Sequence, residues 1–357
     1  MKRFVALSIA SWKRSDPMAR RPIAFAGVVA MGLLVLVAFT GPVEAKAPGP
    51  NGQIAFTRQD PTCGKACESS IYTVNPDGSH EQKLVTGVCC PVWSPDGTQV
   101  SFLSECSFGG PCEATMVDVG TGIVRTLPNP NPALYNEFFS CNGWSPDGTR
   151  LACDVVSDTP GVTGLYTIRS SDGGDLTKVM SCADECGATD WSPDGKRFLV
   201  GTSDPDGLPA LFVVRLNGTG LKQITPAGMD VDLNDGAASW SPTGNRIVFG
   251  GRADPDHRRT IFTVNADGTG FHQVALSGCG GAFAAPAAMA CFDPDWSPDG
   301  AKLVFVRASG NRGFPSELNS LAIFTANADG TGLSQVTTAT NLGLEGGPDW
   351  GTHPTTT

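Results

Sequence analysis

An all-β fold, a six-bladed β-propeller closed by its terminal strand, is what this sequence predicts, and three observations predict it. The string Trp93-Ser94-Pro95-Asp96-Gly97 recurs as WSPDG at 144–148, 191–195 and 296–300, as WSPTG at 240–244, and in truncated form as Asp349-Trp350-Gly351, about fifty residues apart. β-branched and aromatic runs such as Ile247-Val248-Phe249 follow the motif, and second apolar runs end in Gly/Asp/Asn turns: IYTVNPDGSH, LYTIRSSDGGD, LFVVRLNGTG, IFTVNADGTG, IFTANADGTG and a degenerate ATMVDVGTG. The first strand has no motif before it and the last motif has no strands after it, so the two together make one blade. A fixed period of four short strands is the mark of a propeller, whose units bury their faces only against neighbours.

Taken in order, the chain opens on basic residues (Lys2, Arg3, Lys13, Arg14, Arg20, Arg21), then an apolar run at 23–39, then Val43-Glu44-Ala45. This is the layout of a signal peptide at 1–45, cut after Ala45. The alternative is an uncleaved anchor, but 17 apolar residues fall short of the roughly 20 a full span needs. Starting at Met18 instead would leave a compact 28-residue signal. Residues 46–51 read as a Pro/Gly linker, 52–351 as the propeller and 352–357 as a tail.

Gln53-Ile54-Ala55-Phe56-Thr57 reads as the first strand. In each motif Pro presets φ, Asp bonds its own backbone and Gly accepts positive φ, so SPDG closes a tight hairpin. The Trp before it (Trp93, Trp144, Trp191, Trp240, Trp296, Trp350) stands on the inner strand. Burying such a ring removes about 150–250 Å² from water, an upper estimate of roughly 4–6 kcal/mol per copy. Forty-four Gly and 27 Pro suit a fold made of turns. Residues 1–45 hold six basic and two acidic side chains, so the remainder carries 19 basic against 33 acidic, net −14. Such a chain should avoid nucleic acid and anionic lipid, which leaves an uncleaved anchor as its only expected route to a membrane.

These motifs resemble the WD40-like PD40 repeat of the TolB family, whose propeller also appears in the tricorn protease and in the prolyl oligopeptidase and dipeptidyl-peptidase group. The resemblance covers about residues 51 to 351. It implies that the SPDG and NADGTG-type turns share one face. The longer connections, such as 58–69, 104–113, 128–141, 226–237 and 276–293, then lie on the other. TolB carries a further α/β domain before its propeller, whereas strands here begin just after the expected cleavage site. A propeller alone is therefore expected, and the family's part in the Tol–Pal system does not carry over.

Twelve cysteines follow residue 45, an even count that reads as disulfides in an exported chain. Local pairing is the economical arrangement: Cys63 with Cys67, Cys106 with Cys112, Cys182 with Cys186, Cys279 with Cys291. Cys141 and Cys153 are equidistant from Asp147 at the hairpin turn and could face each other across two strands. Cys89 and Cys90 pair either with each other or with a neighbouring loop. Two CxxxC spacings without matching histidines do not make a zinc set.

An active site is hard to find in this pattern. The hydrolases that share this propeller keep their serine in a separate α/β domain with a G-x-S-x-G elbow; the nearest string here, Gly201-Thr202-Ser203-Asp204-Pro205, lacks the last Gly and reads as a loop. Of four histidines, His80 and His272 follow turns, His353 is in the tail, and His257 alone lies on the loop face. Asp190, Asp295 and Asp349 each precede a motif Trp, with Asp293 two residues before Asp295. They either bond nearby backbone amides or face the axial channel, where they could hold Ca²⁺ or a basic partner group; no cofactor is required. Phe108, Tyr135, Phe138, Phe139, Phe283 and Phe292 lie in the longer connections among acidic residues and are either binding anchors or core. The expected function is binding: an exported, monomeric, non-catalytic propeller that takes a protein or peptide partner at Tyr135, Phe138, Phe139 and the channel carboxylates, in the cell envelope or outside it. The rival classes are a propeller enzyme (lyase, glycosidase or lactonase) working through carboxylates or a metal in the channel, and an accessory propeller to a separate hydrolase.

Overall fold

A computed structural model describes residues 49–59, 69–87, 89–104, 113–131, 138–182, 186–233, 238–253, 257–282, 289–310, 318–338 and 345–353. The expected signal segment, Cys63, Cys67, Cys106, Cys112, Phe108, Tyr135 and Phe283 lie outside the described residues.

The strands fall into six antiparallel sheets, the blades. Blade 1 holds β1 (Ile54–Gln59), β2 (Ser69–Val74) and β3 (Gln82–Thr86). Blade 2 holds β4 (Cys89–Trp93), β5 (Gln99–Ser104), β6 (Glu113–Asp118) and β7 (Val124–Thr126). Blade 3 holds β8 (Phe138–Trp144), β9 (Arg150–Val156), β10 (Gly164–Arg169) and β11 (Thr177–Ser181). Blade 4 holds β12 (Gly187–Trp191), β13 (Arg197–Ser203), β14 (Pro209–Arg215) and β15 (Lys222–Gln223). In blade 5 the inner strand comes in two pieces, β16 (Asp230–Val231) and β17 (Ala238–Trp240), both paired with β18 (Arg246–Arg252), followed by β19 (Thr260–Asn265) and β20 (His272–Gln273). Blade 6 holds β21 (Ala290–Trp296), β22 (Lys302–Gly310), β23 (Leu318–Asn327) and β24 (Ser334–Gln335). The last strand, β25 (Glu345–Trp350), pairs with β1 as the inner strand of blade 1. The ring thus closes as the sequence implies.

Turn chemistry builds the hairpins. The Gly97 N–H donates to Ser94 O (2.8 Å) and the Ser94 N–H to Gln99 O (2.8 Å), with Gly97 at φ +69°. Asp96 locks the turn by accepting from Ser94 Oγ (2.6 Å) and from the Thr98 N–H (3.1 Å). The same bonds recur at 145–150, 192–197 and 297–302. At 240–244, where Thr243 replaces Asp, its hydroxyl donates to Asn245 Oδ1 (2.6 Å).

The core lies between blades. Buried side chains form six clusters, one per joint, and each contains one motif Trp. All six indoles are buried, with exposures from 0 to 7%. Middle strands such as Phe198–Gly201 of β13 pack on both faces, which is why they read as unbroken apolar runs rather than as alternation. Two joints add a cation over the indole: Arg197 lies 4.8 Å from the Trp240 ring centroid and Arg246 5.6 Å from that of Trp296.

Blade 1 has no covalent hairpin at its inner turn, and main-chain bonds between distant segments take its place. The Gly52 N–H donates to Gly351 O (3.0 Å), the Gly351 N–H to Gln53 O (3.0 Å) and the Gln53 N–H to His353 O (2.9 Å). A β-carbon on Gly52 would lie 1.9 Å from His353 O, and one on Gly351 would lie 2.3 Å from Trp93 Cγ, so the approach needs glycine at both places. Thr352 and His353, expected in a tail, belong to this turn. The imidazole stacks on Trp93 (5.1 Å between centroids, 10° between planes) and donates from Nδ1 to Gly97 O (2.6 Å). Asn51, expected in a linker, donates to Asp299 Oδ2 (2.9 Å) and accepts from the Asp299 N–H (3.2 Å).

Candidate functional site

The carboxylate before the motif Trp reaches into the next blade. Asp349 of blade 1 accepts from the Trp93 N–H of blade 2 (2.7 Å), Asp190 of blade 4 from the Trp240 N–H of blade 5 (2.7 Å), and Asp295 of blade 6 from the Trp350 N–H of blade 1 (2.8 Å). Asp190 also accepts from the Trp191 N–H (2.7 Å), and Asp295 from Ser239 Oγ of blade 5 (2.7 Å). An ionised acceptor strengthens such bonds. The three carboxylates therefore staple adjacent blades, and Asp295 reaches the blade on either side of its own. Among the described residues, no three of His, Cys, Asp and Glu come together in a way that could hold a metal ion.

Three residues before the Trp, the inner strands of blades 6, 1 and 2 share a kink. Asp293 (φ +49°), Gly347 (φ +54°) and Cys90 (φ +66°) take left-handed backbone, and each precedes a proline: Pro294, Pro348 and Pro91. The pairing register shifts at all three, as expected of bulges that re-aim a strand. The left-handed conformation is unusual for a residue with a β-carbon. Neighbouring blades hold it in place: Asp293 Oδ2 accepts from the Gly347 N–H (3.3 Å), and the Cys90 N–H donates to Thr57 Oγ1 (3.1 Å).

Among the described residues four disulfides are formed: Cys89–Cys90, Cys141–Cys153, Cys182–Cys186 and Cys279–Cys291, with Cα separations of 3.7, 4.0, 6.1 and 5.7 Å. Cys141 and Cys153 are direct cross-strand partners in β8 and β9. Cys89 and Cys90 bond each other, which decides between the two sequence alternatives. Near the two-piece inner strand, Asp230 accepts from Arg252 Nε (2.5 Å) and the buried Asp232 accepts from Arg259. His257 forms a β-bridge with Ala282, so backbone pairing holds this histidine to a second connection. Gly201, Thr202 and Ser203 end β13 rather than lying in a loop; Asp204 then caps a turn by accepting from the Asp206 and Leu208 N–H groups (2.9 Å each).

The turn face carries a repeated carboxylate pattern. Hydroxyl bonds from Ser79, Thr121, Thr269 and Thr331 hold Asp77, Asp118, Asp267 and Asp329 below the ordinary carboxylate value. In the motif turns, burial pushes Asp96, Asp147, Asp194 and Asp299 upward, but the Ser hydroxyl and turn N–H bonds together outweigh it, and the net direction is down.

Of the aromatic candidates, Phe138 and Phe139 pair through their backbones with Val156 and Val155, and their side chains are outside the described set with Tyr135. Phe292 packs against the blade 6–blade 1 cluster, so core packing claims it. Sequence reading missed the Asp232–Arg259 pair and the roles of Asn51 and His353. The arginine pair at 258–259 in the sequence was a signal for the first, whereas nothing local marks the other two.

A family model described as PD40, TolB beta propeller domain, matches residues 133–341. Among solved structures, TolB from Acinetobacter baumannii is similar at a TM-score of 0.62 and 17% identity, over 84% of this chain and 66% of that one. Thus the chain spans just under two thirds of that protein. A putative TolB from Agrobacterium tumefaciens is similar at a TM-score of 0.59 and 16% identity, over 84% of this chain and 99% of that one. The tricorn protease is similar at a TM-score of 0.53 and 16% identity, over 79% of this chain but 26% of its own length. At these identities the likeness concerns the fold, which binding proteins and enzymes share.

Proposed function

The chain belongs to the PD40 family of TolB β-propeller domains, and on that premise we propose that it is an exported, non-catalytic propeller that binds a protein or peptide of basic character through its loop face. One observation carries the reading. Motif carboxylates and indoles, which could have served a channel site, are engaged in joining blades. Recognition then falls to the segments that differ from blade to blade. Two of these segments are held by disulfides, Cys182–Cys186 and Cys279–Cys291, and a stiffened loop loses less entropy on binding. Net charge favours a basic partner, and disulfides fit an oxidising compartment such as the periplasm or the exterior.

The test is affinity capture from an envelope extract with residues 46–357 as bait, partners being identified by mass spectrometry. Replacing Tyr135, Phe138 and Phe139 together by alanine should abolish capture and leave the melting transition in place. Replacing Thr269 and Thr331, on the turn face, should leave capture intact. The reverse result would move the binding surface to the turn face.

A further inference from the structure

We propose that Cys89–Cys90 is a thiol–disulfide exchange site, opened by small dithiols before the other described disulfides, and that its redox state is transmitted to the seam between blades 1 and 2. Both of its residues are half-buried. In each of the other three pairs at least one cysteine is buried: Cys141, Cys153 and Cys291 at 0% exposure and Cys186 at 7%. Exchange needs a thiolate to reach a sulfur; Cys182 and Cys279 are half-buried too, but Cys89–Cys90 is the one described pair open to attack at either sulfur and able to release either as the leaving thiolate. The two cysteines are adjacent and enclose no intervening loop, and disulfide stabilisation through chain entropy grows with loop length. Opening this bond therefore spares the global fold.

The local effect is different. The bond between neighbouring sulfurs closes a small ring around the peptide link and helps hold Cys90 at φ +66°. With the ring open, the extended conformations that suit a residue with a β-carbon become available. Cys90 is tied to the closing blade by its N–H bond to Thr57 Oγ1 of β1. A β-carbon on Gly347 of β25 would lie 3.7 Å from Cys90 Cα. Three residues further on, Trp93 is bonded by Asp349 and stacked by His353. The entry of β4 and the strand that closes the ring are therefore one packed unit.

The chemistry balances with a dithiol as reductant. Its thiolate attacks one sulfur and releases the other as a thiolate. Its second thiolate then attacks the mixed disulfide, leaving two protein thiols and a cyclic disulfide of the reagent, two electrons having passed to the protein.

Graded dithiothreitol under native conditions, followed by alkylation and peptide mapping, tests selectivity. Cys89 and Cys90 should become alkylated at about a tenth of the reductant needed for the other three pairs. Amide hydrogen exchange tests transmission: after selective reduction, 89–93 and 345–353 should exchange roughly tenfold faster while blade 4 is unchanged. The double variant Cys89→Ser/Cys90→Ser should show that faster exchange without reductant. Should it fail to fold, Thr57→Val serves: it keeps the disulfide, so reduction stays selective, but the rise at 345–353 should shrink. Simultaneous opening of the other pairs overturns the exchange site. Unchanged exchange at 345–353, or an undiminished rise in Thr57→Val, overturns the transmission.

Discussion

Asp295 accepts from Ser239 of blade 5 and from Trp350 of blade 1 while standing in blade 6, so one side chain ties three blades together. Its oxygens are buried with their donors, and replacing it by alanine strands a hydroxyl and a main-chain N–H. Asp295→Ala should cost about 1–3 kcal/mol for each donor left unsatisfied, visible as a lower urea midpoint with an unchanged slope. Asp349→Ala, which strands the Trp93 N–H, should lower the midpoint in the same way. The sequence displays Asp before Trp at 190, 295 and 349 but Val92, Gly143 and Ser239 in the other copies. That difference is legible, yet the acceptor's partner is not, because it lies a whole blade away and is chosen by ring geometry. His353 is the harder case. It fills the place of a missing hairpin by stacking on Trp93, and no neighbour in sequence hints at it.

Turns are the element in which sequence and structure agree best, since Ser, Pro, Asp and Gly within one turn determine its bonds without distant help. Their carboxylates make acid sensitivity an expectation. Asp77, Asp118, Asp267 and Asp329, and the motif residues Asp96, Asp147, Asp194 and Asp299, all sit below the unfolded value of 3.8. In the pH range just below that value the unfolded chain binds protons that the folded chain refuses, so protonation favours unfolding. Their stabilisation should be complete well above about pH 4 and fade as pH falls through the depressed folded values. Urea midpoints measured between neutral pH and pH 3 check this. Thr269→Val with Thr331→Val should flatten the acid limb by removing the hydroxyls that depress Asp267 and Asp329. The split inner strand of blade 5 was not legible, because its form depends on Asp230–Arg252 and Asp232–Arg259 pairs whose members stand 22 and 27 residues apart in sequence and meet only when the blade's own strands pair.

Across the whole molecule, one joint differs from the rest. Five inner turns are continuous chain, and the sixth is made of segments 51–53 and 351–353 held by hydrogen bonds. Deleting residues 347–357 removes Trp350, the acceptor for the Gly52 N–H and the pairing edge of β1. The truncated protein should lose cooperative thermal unfolding or aggregate, and an unchanged transition would show that the ring does not depend on this strand. Ring closure was legible as a count, six Trp copies with strands missing at one end and supplied at the other. Its fastening was not, for it rests on main-chain contacts that leave no side-chain signature beyond two glycines. The same joint sets a timetable for biogenesis. The Trp350 indole donates to Gly52 O across 298 residues, and at about 5–20 residues per second the ribosome needs roughly 15–60 s to make that stretch. Throughout that interval β1 has an unpaired inner edge, so the newborn chain carries a sticky strand until almost the last of the described residues has been made. Completion of the circle is thus a late event, and a chaperone that shields the amino-terminal blade until release would act at its most exposed moment.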